Sequence, residues 1–267
     1  MTSARTRAKI EPVRTTRLTR RNYGRGHGYQ IDGHKAPGVT TVIDVLDKPA
    51  LRNWYAEQAA KRAVDEWDRL QTMTVSERLE FIRYGARDKV TAAALRGTEI
   101  HTLGEKVAHG GDVEVPPAHV GPVTAYARFL DKWGIEVIAS ETPLANITYG
   151  YGGTADLWCK IGARDDAVAL VDVKTGKGVY SETGLQLAAY RFSELIQPEK
   201  GVEIATPTVD LVYVAHVLTD DVRMLPVRAD AGVFRSFLYA LEVYKARQRW
   251  EDWPLVGSAV EPEDDDE

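Results

Sequence analysis

At Gly134 the sequence changes character, and that change limits the folds open to the chain. Before it, apolar residues recur at helical spacing; after it, β-rich runs separated by glycines and charged turns take over. The spacing predicts a short helix over 39–47 and a longer one over 51–67, with Leu51, Trp54, Tyr55, Ala59, Ala63 and Trp67 near one stripe. A further helix starts near Ser76, capped by that serine. Another runs from Ala86 to His109 and stops at Gly110-Gly111, and 118–133 closes the helical part. Ile135–Ile147, Thr154–Ile161 and Ala167–Lys174 read as strands. A helix over 181–197, strands at 208–217 and 222–227, and a long helix over 230–250 follow. Near the start, Tyr29-Gln-Ile-Asp-Gly-His34 reads as a hairpin, because Asp-Gly supplies the positive φ of a tight turn. This order predicts an α/β fold, a central mixed sheet flanked by helices with an N-terminal helical elaboration. The expected organisation is one domain over 27–256, helical to 134 and sheet-based beyond.

Composition enters where it excludes something. No apolar run approaches the roughly 18 residues of a membrane span, and no apolar segment follows the basic N-terminus as a secretory signal requires. The Arg- and Thr-rich start also suits an organellar transit peptide. Cys159 is the one cysteine, so an intramolecular disulfide and any site built from several thiolates are out, and a reducing, cytoplasmic setting is expected. The net charge of -5 hides an asymmetry. Residues 1–26 hold eight basic side chains against Glu11, whereas the tail from Glu261 to Glu267 holds six acids and no base. The first segment reads as a flexible arm able to bind phosphates without sequence preference, and 257–267 as a disordered, solubilising end.

The chemistry is concentrated between Gly97 and Tyr190. In Leu170-Val171-Asp172-Val173-Lys174, alternation on a strand puts Asp172 and Lys174 on one face. Alone, such a triplet is an ordinary cross-face ion pair. Upstream, Gly152-Gly153-Thr154-Ala155-Asp156 leads a flexible glycine pair into a strand bearing a carboxylate, and the short interval to Asp172 lets a hairpin bring the two acids together. Two carboxylates at one buried place repel, and a raised pKa or a bound cation relieves them. Hard oxygen ligands with space left for phosphate and water suit Mg²⁺ or Mn²⁺. Gly97 and His101 lie four apart on one helix, the glycine letting another backbone come close beside the imidazole. Gln186 and Tyr190, also four apart, present two hydrogen-bonding groups from one helix face. Neither "YGYGGTAD" nor "KTGKG" fits a P-loop, and no G-x-S-x-G is present.

Taken in order, Gly-x-x-x-His, Gly-x-x-Asp, Asp-x-Lys and Gln-x-x-x-Tyr resemble the RecB-like branch of the PD-(D/E)XK nuclease superfamily, which includes phage exonucleases. "LVDVKTGKGVYSETGLQLAAY" is the most family-like stretch. The resemblance implies a restriction-endonuclease-like core and a metal-dependent DNA exonuclease acting in recombination, replication or end processing, in a bacterial or phage-infected cytoplasm. It implies one or two Mg²⁺ or Mn²⁺ ions ligated by His101, Asp156, Asp172 and the carbonyl of Val173. Lys174 would orient or activate water, with Asp172 and Asp156 beside it, and Glu141 stands where the family often has an acid. Thr175, Gln186 and Tyr190 would contact the DNA backbone or support the site. The four cysteines that hold an iron–sulfur cluster in several relatives are missing, so no such cluster is expected. DNA is the implied partner, together with a recombinase, a single-strand-binding protein or a helicase. A structure- or sequence-specific endonuclease, and a non-cleaving DNA-binding or assembly protein on the same fold, are the alternatives.

Overall fold

The computed structural model describes residues 17–23, 26–85, 87–111, 113–176 and 178–260. Most of the basic arm, and the acidic tail from Glu261, lie outside the described residues. The part of the arm that is described is structured: β1 (Leu18–Tyr23) pairs antiparallel with β2 (Gly26–Ile31), and β2 with β3 (His34–Ala36), in a three-stranded sheet. The turn expected at Asp32-Gly33 joins β2 to β3, both residues having positive φ (50° and 81°).

Five helices follow: α1 (Val39–Ile43), α2 (Pro49–Asp65), α3 (Trp67–Gln71), α4 (Val75–Arg83) and α5 (Arg87–Ala108). The cap of α4 is Thr74, not Ser76; Thr74 and Glu77 form a reciprocal capping box. The apolar stripe expected on α2 is not a core face. No α2 residue is buried, Leu51 and Tyr55 are largely exposed, and Trp67 belongs to α3. Instead, the guanidinium groups of Arg62 and Arg69 lie over the Phe81 ring at 4.3 and 4.6 Å, joining these helices to one another. Helix α6 (Val120–Trp133) ends at Gly134, whose left-handed φ of 58° supplies its C-terminal turn.

From there a seven-stranded mixed sheet is built from β4 (Ile135–Asn146), β5 (Tyr151–Ile161), β6 (Ala167–Lys174), β7 (Leu195–Glu199), β8 (Val202–Ala205), β9 (Leu211–Val217) and β10 (Val222–Pro226), in the order β10-β9-β6-β5-β4-β7-β8. β6 and β9 run parallel; the other neighbours are antiparallel. The helix expected over 181–197 is shorter: α7 (Glu182–Arg191) stops and the chain returns as the β7–β8 hairpin. The turn between these strands contains Gly201 at φ 84°.

Helices cover both faces of the sheet. On one, Val42 of α1, Leu187 of α7 and Phe237 of α8 (Ala231–Asp252) pack on Trp158, Leu170 and Val214. On the other, Ile100 of α5 and Tyr126 and Phe129 of α6 pack on Leu157, Val171, Val173 and Ala215. The alternation Leu170/Asp172/Lys174 against Val171/Val173 is thus realised: Leu170 and the valines enter opposite cores, and the two charged residues lie towards α7.

Candidate metal centre

The site lies where β5 and β6 part. Their ladder runs from Ile161↔Ala167 to Leu157↔Val171 and stops one residue short of setting Asp156 opposite Asp172. Beyond that point the Asp156 side chain takes over from the backbone: its Oδ2 accepts from the Val173 N–H at 2.7 Å. The diverging strands therefore hold both carboxylates where the β5–β6 ladder stops, without fusing them into it.

β4 adds a third acid. Ser140 pairs with Leu157 and Thr142 with Ala155, which sets Glu141 opposite Asp156. Glu141 has φ 43°, a region that costs a non-glycine residue strain and is retained where the surroundings impose it. From α5, His101 Nδ1 comes to 3.8 Å from Glu141 Oε1 and 3.8 Å from Asp156 Oδ2. Ligand atoms of His101, Glu141 and Asp156 all lie within 4.8 Å of one another. They open on a cleft also lined by Val173, Tyr126 and Glu105, with about 20 Å³ of free volume. That is room for a small ion or a water between these side chains.

Asp172 belongs to the adjoining half of the site. It is 1% exposed. Lys174 Nζ lies 2.8 Å from its Oδ2, and Gln186 Nε2 donates to its Oδ1 at 3.1 Å. The Gln186 amide is used at both ends, since its Oε1 accepts from Lys174 Nζ at 3.4 Å. The same Nε2 donates to the Tyr190 hydroxyl at 3.1 Å. One amide thus reads the carboxylate and the ammonium together. The i, i+4 spacing of Gln186 and Tyr190 on α7 makes this possible.

The glycines have roles different from those expected. Gly152 and Gly153 are buried inside β5, not in a flexible lead-in. A Cβ on Gly153 would come within 2.6 Å of the Tyr190 ring, and one on Gly152 within 2.6 Å of the Tyr29 ring. Gly97 admits a side chain, not a backbone: a Cβ there would stand 3.1 Å from Thr175 Oγ1. Thr175, directly after Lys174, is thereby held against α5, the helix that carries His101.

Burial pushes the Asp156 carboxyl up to about 7; the Asp172 charge adds to this while His101 and Lys174 pull back. Asp172 is also raised by burial, with Lys174 opposing. For His101, burial works against protonation, but contact with Glu141 and the charges of Asp156 and Asp172 outweigh it, so its pKa is raised. Three acids and a histidine are thus crowded into one partly desolvated place.

Two features fit a hard divalent cation there. The donor set is oxygen-rich with one imidazole, of the kind Mg²⁺ and Mn²⁺ accept. Asp172 Oδ2 is buried without an aligned hydrogen-bond donor, although the Lys174 ammonium is in ion-pair contact with it. Of the residues expected at the site, His101 and Asp156 are grouped with Glu141, Val173 lines the same cleft, and Asp172 pairs with Lys174 and Gln186. Glu105 was overlooked in the sequence, although its position one turn beyond His101 on α5 was a usable signal. Compared with known proteins, the sequence matches no family model, and no curated protein matches it.

Proposed function

We propose that the chain is a Mg²⁺- or Mn²⁺-dependent deoxyribonuclease with a restriction-endonuclease-like core, acting as an exonuclease in recombination, replication or end processing. The observation that carries this reading is the convergence, where the β5–β6 ladder stops, of the His101–Glu141–Asp156 group and the Asp172–Lys174 pair. Phosphodiester hydrolysis needs charge stabilisation on the phosphorus oxygens and a nucleophile at neutral pH; His101, Glu141, Asp156 and the Val173 carbonyl would hold a divalent ion, which would supply both.

The chain's own groups do the rest. Asp172 is locked by Gln186 and keeps the Lys174 amine at the site's edge, where a third of that side chain is exposed. From there the ammonium orients the attacking water and offsets negative charge as it develops on a phosphate oxygen. Tyr190 fixes Gln186, and burial with the nearby aspartates holds its phenol well above the usual range, so it remains a neutral support. Thr175, packed against Gly97, ties the position of Lys174 to the helix bearing His101.

Digestion of end-labelled single- and double-stranded DNA, beside a covalently closed circle, tests this reading. Linear DNA is expected to be degraded from its ends with Mg²⁺ or Mn²⁺ and to survive EDTA, while the circle resists. Intact linear DNA under all metal conditions, or cleavage unaffected by EDTA, contradicts the proposal; cutting of the circle replaces exonuclease by endonuclease.

A further inference from the structure

The small N-terminal sheet carries a cation that has no ion-pair partner among the described residues. In the β1–β2 register, Arg20 stands opposite Tyr29 and Asn22 opposite His27, so these four share a face with Leu18 and Ile31. Leu18, Tyr29 and Ile31 are buried, so this face is turned towards the body of the protein. Tyr29 fixes it there. Its ring lies on Gly152, and its hydroxyl is 2.8 Å from Thr154 Oγ1, two residues before Asp156 on β5. The His27 ring meets Tyr29 edge-on at 5.3 Å. The charges near this edge act on one another: burial and Arg20 hold the His27 imidazole below its usual range, while Glu141 pulls it up.

Arg20 is half-buried, and its Nε is shielded from solvent with no hydrogen-bond partner. No ion pair joins it to an acid among the described residues, whereas Arg17, just before β1, is matched with Asp32 at 2.6 Å. A shielded guanidinium donor left unpaired is costly, and its planar fork suits a phosphate. A group of acids also repels an incoming polyanion, and a cation at the rim offsets that repulsion.

We propose that Arg20 is a substrate-positioning residue whose guanidinium holds a backbone phosphate of the nucleic acid beside the His101–Glu141–Asp156 group. The inference rests on the nuclease reading, but its test can be separated from it. Arg20→Ala, Arg20→Lys and Arg21→Ala are compared with the wild type; Arg21 lies on the opposite, exposed side of β1 and loses the same charge. Binding of a fluorescein-labelled oligonucleotide in Ca²⁺ is followed by anisotropy against salt, and cleavage in Mg²⁺ is followed kinetically.

Arg20→Ala is expected to weaken binding and raise KM about tenfold, to leave kcat within about threefold, and to lower the salt slope by about one. Arg20→Lys is expected to recover part of the loss, with all variants melting as the wild type does. Equal effects of Arg21→Ala and Arg20→Ala, or wild-type binding by Arg20→Ala, would overturn the proposal, as would a loss that follows the melting temperature alone without lysine rescue. A wild type that never cleaves, yet loses binding with Arg20→Ala, sinks the nuclease reading and leaves Arg20 as a phosphate contact. A wild type that cleaves, with Arg20→Ala unaffected, sinks this inference alone.

Discussion

Lys174 and Asp172 are joined by one contact, but they answer differently to substitution. Lys174 is partly exposed, so Lys174→Ala is expected to reduce turnover at least about a hundredfold with little change in melting temperature. Asp172→Asn keeps the shape and still accepts from Gln186, but turns an amide donor towards the Lys174 ammonium. It should lose turnover to a similar degree and also destabilise the protein. Near-normal nuclease rates in either purified variant would refute the roles given to these residues. Asp156 carries the pH dependence. An acid whose pKa is raised on folding holds its proton over a window where the unfolded chain has already released it. The stability linked to Asp156 is therefore greatest near pH 4, the ordinary carboxyl range, and drains as pH rises to about 7. In EDTA at pH 8, Asp156→Asn should melt a few degrees above the wild type, and the difference should vanish near pH 4; equal melting at both pH values contradicts the raised pKa.

Among the elements, α5 meets the end of β6 at Gly97 and Thr175, the residue directly after Lys174. Alanine at Gly97 gains up to about 1 kcal/mol of helix propensity, yet its Cβ would press on Thr175 Oγ1 at 3.1 Å. Gly97→Ala is thus expected to leave the melting temperature unchanged or raised while turnover falls several-fold; unchanged turnover would show that Thr175 does not transmit position to Lys174. The elements around this contact were readable because local signals agree there. Val171 and Val173 alternate with Asp172 and Lys174 on β6, and Gly134 stops α6. Where local signals conflict, the reading failed. The apolar Leu195-Ile196 pair extends the pattern of α7, although Pro198 and Gly201 mark the turn that makes β7 and β8. On α2 an apolar stripe exists, but its partners are helices joined through arginine–aromatic contacts, which periodicity does not reveal. Of the three-stranded sheet only β1 was missed, for another reason: Arg20 and Arg21 give it the composition of a solvated arm, and only its pairing with β2 shows otherwise.

At the scale of the whole molecule, helices seal both faces of the seven-stranded sheet and the site opens at the end where β5 and β6 separate. Cys159 reports on that sealing. It is fully buried, and burial pushes its thiol up to about 12. At pH 8 the native protein should be inert to a thiol-exchange reagent, and one equivalent should react on unfolding. Immediate labelling of the native chain would mean that the sheet opens readily. The candidate site was legible in the sequence as a set of residues, because motif order survives however the chain is folded. Its division was not: Glu141, at a positive φ inside β4, joins His101 and Asp156, while Asp172 turns to Lys174 and Gln186. The central claim is that this group holds a hard cation. Calorimetric titration of Mn²⁺ into the EDTA-treated, dialysed protein tests it most directly. Saturable binding of one or two ions, lost in Asp156→Asn and weakened in His101→Ala, is the predicted result; heats no larger than dilution, or binding unchanged in both variants, would contradict it.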